Sequence, residues 1–318
     1  MNPAVSTPGI LTRLRDCVRE RRLPSAFTRR LYAPSMLTIH QMVLDLILTH
    51  RGARPQFISL DAARALQDRY PCRDGYKYDD ASKKARAAER LELISKAADL
   101  SRPLKILEVG GGDGQLSLLL SHRGHDCTLL DFEDWRDDEV KHSTVDFIGA
   151  DASARFSMES CSFDLCVSFN TMEHIHDPAN AYHEMLRVLR PGGTLYLQFA
   201  PLFNSAWGLH AYRVVHFPYP QFLLSPDDFK IFVEDRVNYD LGRTRADFQY
   251  VNRWSAAAFH ELFMSEHESA SCAVTIHREL EHLPLIYQYR RAFAGRGLSV
   301  LELVSSGIDV VAQKHRDN

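Results

Sequence analysis

The run Leu107-Glu108-Val109-Gly110-Gly111-Gly112-Asp113-Gly114 places four glycines and two acids where a strand-like apolar run ends and a helix-like one begins. Without a Cβ, glycine lets the backbone turn tightly and lets a ligand come closer than any other residue would. A nucleotide-like occupant is expected there, with Gly110, Gly112 and Gly114 against it. Roughly 20 residues on, Asp131, followed by Phe132, ends the next apolar run, where a carboxylate could take both hydroxyls of a ribose. Asp151, followed by Ala152, ends the run after that and could receive an adenine amino group. One glycine loop is a weak signal; a loop and two acids in order on successive strand ends are a much stronger one.

These groups need strands to carry them, and the chain supplies such runs from Leu104 onward. LKILEV, DCTLLD, VDFIGAD, FDLCVSF and TLYLQFA are apolar without strict alternation, and they are separated by helical segments such as QLSLLLSHRG and AYHEMLRVL. That pattern predicts a doubly wound α/β fold with a mostly parallel sheet. Gly124 and Pro191-Gly192-Gly193 read as helix stops, and Ser225 and Ser255 as helix caps. Two further strands are expected at Cys272–His277 and Ile308–Ala312. Residues 1–100 read as a helical N-terminal cap or lid, and 101–318 as the main domain, with an insertion over about 201–255.

The bulk numbers restrict the function classes. At 318 residues, 45% hydrophobic and 25% charged, the chain can bury a substantial core. A net charge of −3 gives no global basic field for a phosphate backbone, so no nucleic-acid partner is expected. Six scattered cysteines without CxxC spacing argue against a zinc ribbon or a disulfide framework. There is neither a bilayer-length apolar run nor a secretory signal, so the expectation is a cytoplasmic protein without membrane contact.

Two features of the loop separate its possible cofactors. A dinucleotide fingerprint would place a third glycine at Gln115, and the anionic Glu108 would be a poor neighbour for a pyrophosphate. A cofactor bearing a sulfonium and an ammonium, S-adenosylmethionine (SAM), suits an acid there. At this point the chain resembles the class I SAM-dependent methyltransferases, Rossmann-like proteins with a seven-stranded sheet, in the broad subgroup acting on small molecules. Glu108–Gly114 resembles that family's first motif, Asp131 its ribose acid and Gly149-Ala150-Asp151-Ala152 its adenine-contacting strand end. Phe163–Asn170, Met172-Glu173-His174-Ile175 and Leu189–Leu195 resemble its fourth strand, the turn after it and the entry to its fifth strand. The resemblance implies SAM as cofactor and also brings in Asn170 and, from a closing aromatic stretch, Tyr78.

Methyl transfer to a hydroxyl needs positioning and a proton acceptor. His174, past the fourth strand and beside Glu173, is one candidate base, and His210 is a second; His176 reads as structural or solvated, and Arg86 and Arg90 as surface arginines on a solvated helix. The segment 201–220 is rich in aromatics, His and Asn, the composition of an acceptor wall, with Phe203, Trp207, Tyr212 and His216 as its candidate contacts. Asn170, Glu173 and His174 could ligate a cation in a pattern similar to metal-using quinone O-methyltransferases, but those enzymes have an acid where this chain has Asn170, so no metal is expected. The expected activity is methylation of a hydroxyl on a small molecule, sugar-containing or a secondary metabolite, by a protein that could form a homodimer. The alternatives are a small-molecule N-methyltransferase and a non-catalytic SAM-binding protein.

Overall fold

The computed structural model describes residues 44–46, 48, 54–72, 77–211, 214–234 and 249–316. Each of the seven apolar runs forms a strand: β1 (Lys105–Val109), β2 (Asp126–Asp131), β3 (Asp146–Gly149), β4 (Phe163–Phe169), β5 (Leu189–Phe199), β6 (Ala270–Arg278) and β7 (Ser305–Lys314). They join in one sheet of order β3-β2-β1-β4-β5-β7-β6. The first five strands pair in parallel, and β7 enters antiparallel between β5 and β6. The order reverses between β1 and β4, which opens a crevice at the carboxyl ends of those strands.

Consecutive residues of the central strands go to opposite faces, as the pleat requires. Ile106, Leu129, Leu165 and Tyr196 share one core with helices α2 (Asp80–Ala97) and α3 (Gln115–Ser121). Their neighbours Leu107, Leu130, Cys166 and Leu195 share another with α4 (Pro178–Val188) and α5 (Ala256–Ser265). Burial on both faces is why these strands lack alternation in the sequence. A third core lies off the sheet, where Leu44, Leu48 and helix α1 (Leu60–Gln67) pack with Trp207, Phe217, Tyr219, Phe222, Ile286 and Phe293.

The expected boundary at residue 100 therefore divides the chain differently in space. Helix α2, read as part of an N-terminal cap, buries Ala87, Leu91 and Ile94 against the sheet. The rest of the described N-terminal segment shares its core with residues from beyond position 200. Among the described residues before Leu104 there is no strand. The caps form as their sequences suggest: Ser255 accepts from the Ala258 amide, and the Ser225 hydroxyl from that of Asp228. Helix α4 ends at Val188, short of Pro191-Gly192-Gly193, which instead lies in an irregular stretch of β5 where the pairing with β4 shifts register. No helix of the described residues is long and apolar enough to cross a membrane.

Candidate functional site

A cavity of about 510 Å³ opens over the carboxyl ends of β1, β2 and β4. Its floor is the glycine loop. Gly110 has φ +73°, and a Cβ there would lie 2.2 Å from two atoms of Thr171, so the close approach of the loop to the β4 turn requires glycine. Gly112 has φ +55° and nothing within 4 Å of where its Cβ would be, which leaves backbone open for a ligand. Gly114 is not part of the lining; it precedes α3 with φ +76°, and a Cβ there would press on Val140.

Asp131 is set at the cavity edge by two amides, Gly112 N–H donating to Oδ2 at 3.1 Å and Phe132 N–H to Oδ1 at 2.8 Å. The strand-end acid and the glycine loop thus hold each other in place before any ligand arrives. Asp151 accepts from the Ser153 amide at 2.8 Å, and Ala152, Phe132, Tyr78 and Asn170 also line the cavity. Asn170 has φ +50°, a conformation its short polar side chain tolerates better than most. This pre-formed cradle, an open glycine backbone flanked by two acids on adjacent strand ends, fits the adenosine of SAM.

Glu108 is placed otherwise than the sequence suggests. It does not line the cavity; it is 1% exposed and turned under the loop, where its Oε2 accepts from the Ser117 hydroxyl at 2.6 Å and the Ser117 amide at 3.2 Å. Burial raises its pKa to about 7 against the pull of those hydrogen bonds. The acid is a brace between β1 and α3 and not a counter-charge at the loop's mouth.

Helix α2 is tied over the same loop. Lys83 pairs with Asp137 at 2.6 Å and Arg86 with Asp113 at 3.5 Å, while the Arg90 guanidinium lies 5.0 Å from the centre of the Phe169 ring. Arg90 and Phe169 both reach the cavity. Arg86 and Arg90 were expected on a solvated surface, and nothing in the local helical pattern distinguishes them from such residues.

His174 and His210 line the same cavity, their ring centres 4.8 Å apart and their planes nearly perpendicular at 86°. His174 Nδ1 bonds the Tyr250 carbonyl, and His210 Nε2 bonds the Pro201 carbonyl at 2.9 Å. A carbonyl can only accept, so those nitrogens carry the hydrogens, and His174 Nε2 and His210 Nδ1 are left as lone-pair atoms. Burial pushes the His174 pKa down to about 3, helped by His210, and that of His210 down to about 4. Glu173, 1% exposed, lies with Oε1 3.8 Å from His174 Nε2, and neither of its oxygens meets a donor in hydrogen-bonding geometry. Its carboxyl is raised to about 8 by burial.

The turn carrying Glu173 and His174 is held from a distance. Asn252, 3% exposed, donates from Nδ2 to the Met172 and Ile175 carbonyls at 2.7 and 2.9 Å, and its own amide donates to the Glu173 carbonyl. His176, expected to be structural or solvated, lines the cavity and lies 4.1 Å from the Tyr250 ring. Gln249 and Tyr250 complete this wall, and no spacing in the sequence links them to His174.

The segment expected to form the acceptor wall contributes less than its composition suggests. Pro201 and His210 reach the cavity, whereas Phe203 packs edge-on to Phe222, and Trp207 is 8% exposed beside His282. His216 accepts no place in the lining; its amide donates to Gln67 of α1. Large aromatics there build the third core. Tyr212 lies outside the described residues.

Residues 107–197 match a family model described as a methyltransferase domain. The chain is 27% identical over 187 residues to the tRNA 5-carboxymethoxyuridine methyltransferase of Escherichia coli (strain K12), an alignment covering 53% of this chain and 69% of that protein. It is 28% identical over 105 residues to the ubiquinone biosynthesis O-methyltransferase of Azotobacter vinelandii, covering 29% of this chain and 42% of that one. A solved SAM-dependent methyltransferase from Methanosarcina mazei aligns with 20% identity and a TM-score of 0.43, over 71% of this chain and 98% of the other. The sheet order, the glycine loop with its strand-end acids and the domain matched over residues 107–197 converge on a SAM-dependent methyltransferase.

Proposed function

We propose that this methyltransferase acts on a hydroxyl group of a small molecule, which enters the cavity at the end formed by His174, His210 and Tyr250. The observation that carries the reading is the pair of neutral imidazoles. Each has one nitrogen anchored to a backbone carbonyl and one lone pair remaining, inside the cavity that holds the cofactor cradle. SAM, when bound, supplies a methyl group on a sulfonium. The protein's part is to orient the acceptor, exclude water and receive a proton. His174 Nε2 and His210 Nδ1 can accept the hydroxyl hydrogen and turn the oxygen lone pair away from themselves. Their lowered pKa values keep both unprotonated at neutral pH. A weak base is sufficient here, because the oxygen becomes far more acidic as its bond to carbon forms. In this reading the insertion at about 201–255 serves the acceptor through Pro201, His210, Gln249 and Tyr250.

A second reading has a specific observation behind it: the similarity over 187 residues to an enzyme named for a tRNA nucleoside. In that case the same end of the cavity would receive a modified base and not a free metabolite, despite the net charge of −3.

The test combines binding and transfer. Calorimetric titration with SAM and S-adenosylhomocysteine should show one site, and Asp131→Ala should weaken it by about 10- to 100-fold, the value of a charge-assisted hydrogen-bond pair. Labelled SAM is then offered with a panel of phenolic and sugar hydroxyls, with amines, and with bulk tRNA. Transfer to a hydroxyl that falls in His174→Ala and His210→Ala supports the proposal; transfer only to tRNA, or only to amines, replaces it.

A further inference from the structure

Glu173, His174 and His210 form a cluster in which one ligand atom from each lies within 4.8 Å of the others. Three observations give that cluster a chemical identity. Both imidazoles have their tautomer fixed by a backbone carbonyl behind the ring, the arrangement that orients metal-binding histidines and leaves the opposite nitrogen as donor. The Glu173 side chain is 1% exposed and no side chain donates to its oxygens, with only the amides of Glu173 itself and Ala200 near them, so its ionised form is a buried charge that a cation would stabilise. All three residues line the cavity, so an ion held by them would keep coordination positions open toward an acceptor.

The distances suit an ion that draws its ligands in slightly. Bonds of roughly 2.0–2.2 Å place adjacent donor atoms about 3.0–3.5 Å apart. The 3.8 Å between His174 Nε2 and Glu173 Oε1 is within a small side-chain rotation of that.

We propose that Glu173, His174 and His210 form a two-histidine, one-carboxylate site for a divalent first-row transition ion at the acceptor end of the cavity. Two imidazole donors favour zinc, cobalt or iron over magnesium or calcium, which prefer all-oxygen sites. The site stands on geometry alone; its use rests on the hydroxyl-acceptor reading. There the ion takes the place of the hydrogen between the acceptor oxygen and the imidazoles. An oxygen bound to it loses its proton to solvent more readily, and the resulting alkoxide or phenoxide takes the methyl group without any further co-reactant.

The probe is Co²⁺, added to untagged, metal-free full-length protein and followed by calorimetry and by its visible ligand-field bands. One Co²⁺ per chain is expected, with affinity falling at least about 10-fold in each of Glu173→Gln and His210→Ala. His183→Ala, which alters a half-exposed histidine of α4 paired with Glu266, should leave binding unchanged. Thermal unfolding of each variant checks that it folds, and His210→Asn provides a milder replacement should His210→Ala fail to. Absence of stoichiometric binding by the wild-type protein, or equal binding by both ligand variants, overturns the site. Co²⁺ binding as expected, without metal-stimulated transfer to a hydroxyl, upholds the site and overturns its use in transfer; the hydroxyl-acceptor reading falls only if no hydroxyl is methylated with or without Co²⁺.

Discussion

The two ends of the cavity are built by different means. Around the glycine loop the backbone does the work: amides of Gly112 and Phe132 fix Asp131, and the open face of Gly112 leaves room for a ligand. Around His174 and His210, where the acceptor is proposed to enter, it is side chains, brought from segments far apart in the sequence. His174 bonds a carbonyl 76 residues away, and Asn252 reaches back 80 residues to the Met172 carbonyl. A site made by backbone tolerates change in its surroundings but not in its glycines. A site made by converging side chains depends on every segment that holds them, and so can differ between proteins that share the first.

The sharpest way to break this contrast is at Gly110. Gly110→Ala must accommodate a Cβ 2.2 Å from Thr171 and a positive φ together. Overpacking and left-handed strain sum to a loss of about 4 kcal/mol in urea unfolding, and SAM binding should fall with it. Gly112→Ala has the strain without the clash, and should cost about 1 kcal/mol while still weakening SAM. If Gly110→Ala bound SAM as the wild-type protein does, the loop would not be the rigid cradle described.

That asymmetry also explains what the sequence could reveal. Glycines, strand-end acids and runs of buried residues are local signals, so the gathering of Gly110, Gly112, Asp131 and Asp151 along one cavity was legible, as were all seven strands. Glu108 was misplaced because sequence position gives proximity to the loop but not the direction of a side chain. Successive residues of β1 face opposite ways, and its carboxylate went to Ser117 under α3. Phe203 and Trp207 were misread because an aromatic-rich loop can line a pocket or fill a core, and composition is the same for both. His174 and His210 were legible as chemistry-bearing residues, but Tyr250 and Asn252 carry no spacing that ties them to the turn they hold. The division at residue 100 missed because the third core is assembled from pieces of chain on both sides of the sheet domain.

The brace at Glu108 sharpens the comparison through pH. Its folded pKa of about 7 lies above the ordinary 4.5, so the folded state keeps a proton that the unfolded state gives up. The stability tied to this group is fully present below pH 4.5 and is lost as pH rises from there through about 7. Glu108→Gln keeps an acceptor for Ser117 without the ionisation. It should unfold much as the wild-type protein does at pH 4.5, and gain on it by about 3 kcal/mol by pH 8, at 1.36 kcal/mol per unit. A difference that did not change with pH would mean the acid is solvated in the folded protein.

Asn252→Ala tests the acceptor end alone. It strips the Met172 and Ile175 carbonyls of their side-chain donors and should cost about 2 kcal/mol of stability. The turn bearing His174 loosens, so kcat should fall by about 10-fold, while the Kd for S-adenosylhomocysteine stays within about twofold. A matching loss of cofactor affinity would show that the two ends are one mechanical unit.

The smallest effect separates ligand contact from folding. Phe132 is 65% exposed although it follows Asp131 on the cavity edge, with Trp135 at 6.4 Å as its aromatic neighbour. A side chain that buries so little contributes little to the fold, and Phe132→Ala should change unfolding free energy by less than about 0.5 kcal/mol. If the adenine of SAM lies between Asp131 and Asp151, the same ring becomes a stacking surface worth about 1 kcal/mol, and its removal should weaken S-adenosylhomocysteine about fivefold. Unchanged affinity would move the adenine off this edge. A loss of stability larger than the loss of affinity would make Phe132 part of the core and not of the cradle, and the backbone-built end would then depend on side chains as much as the other.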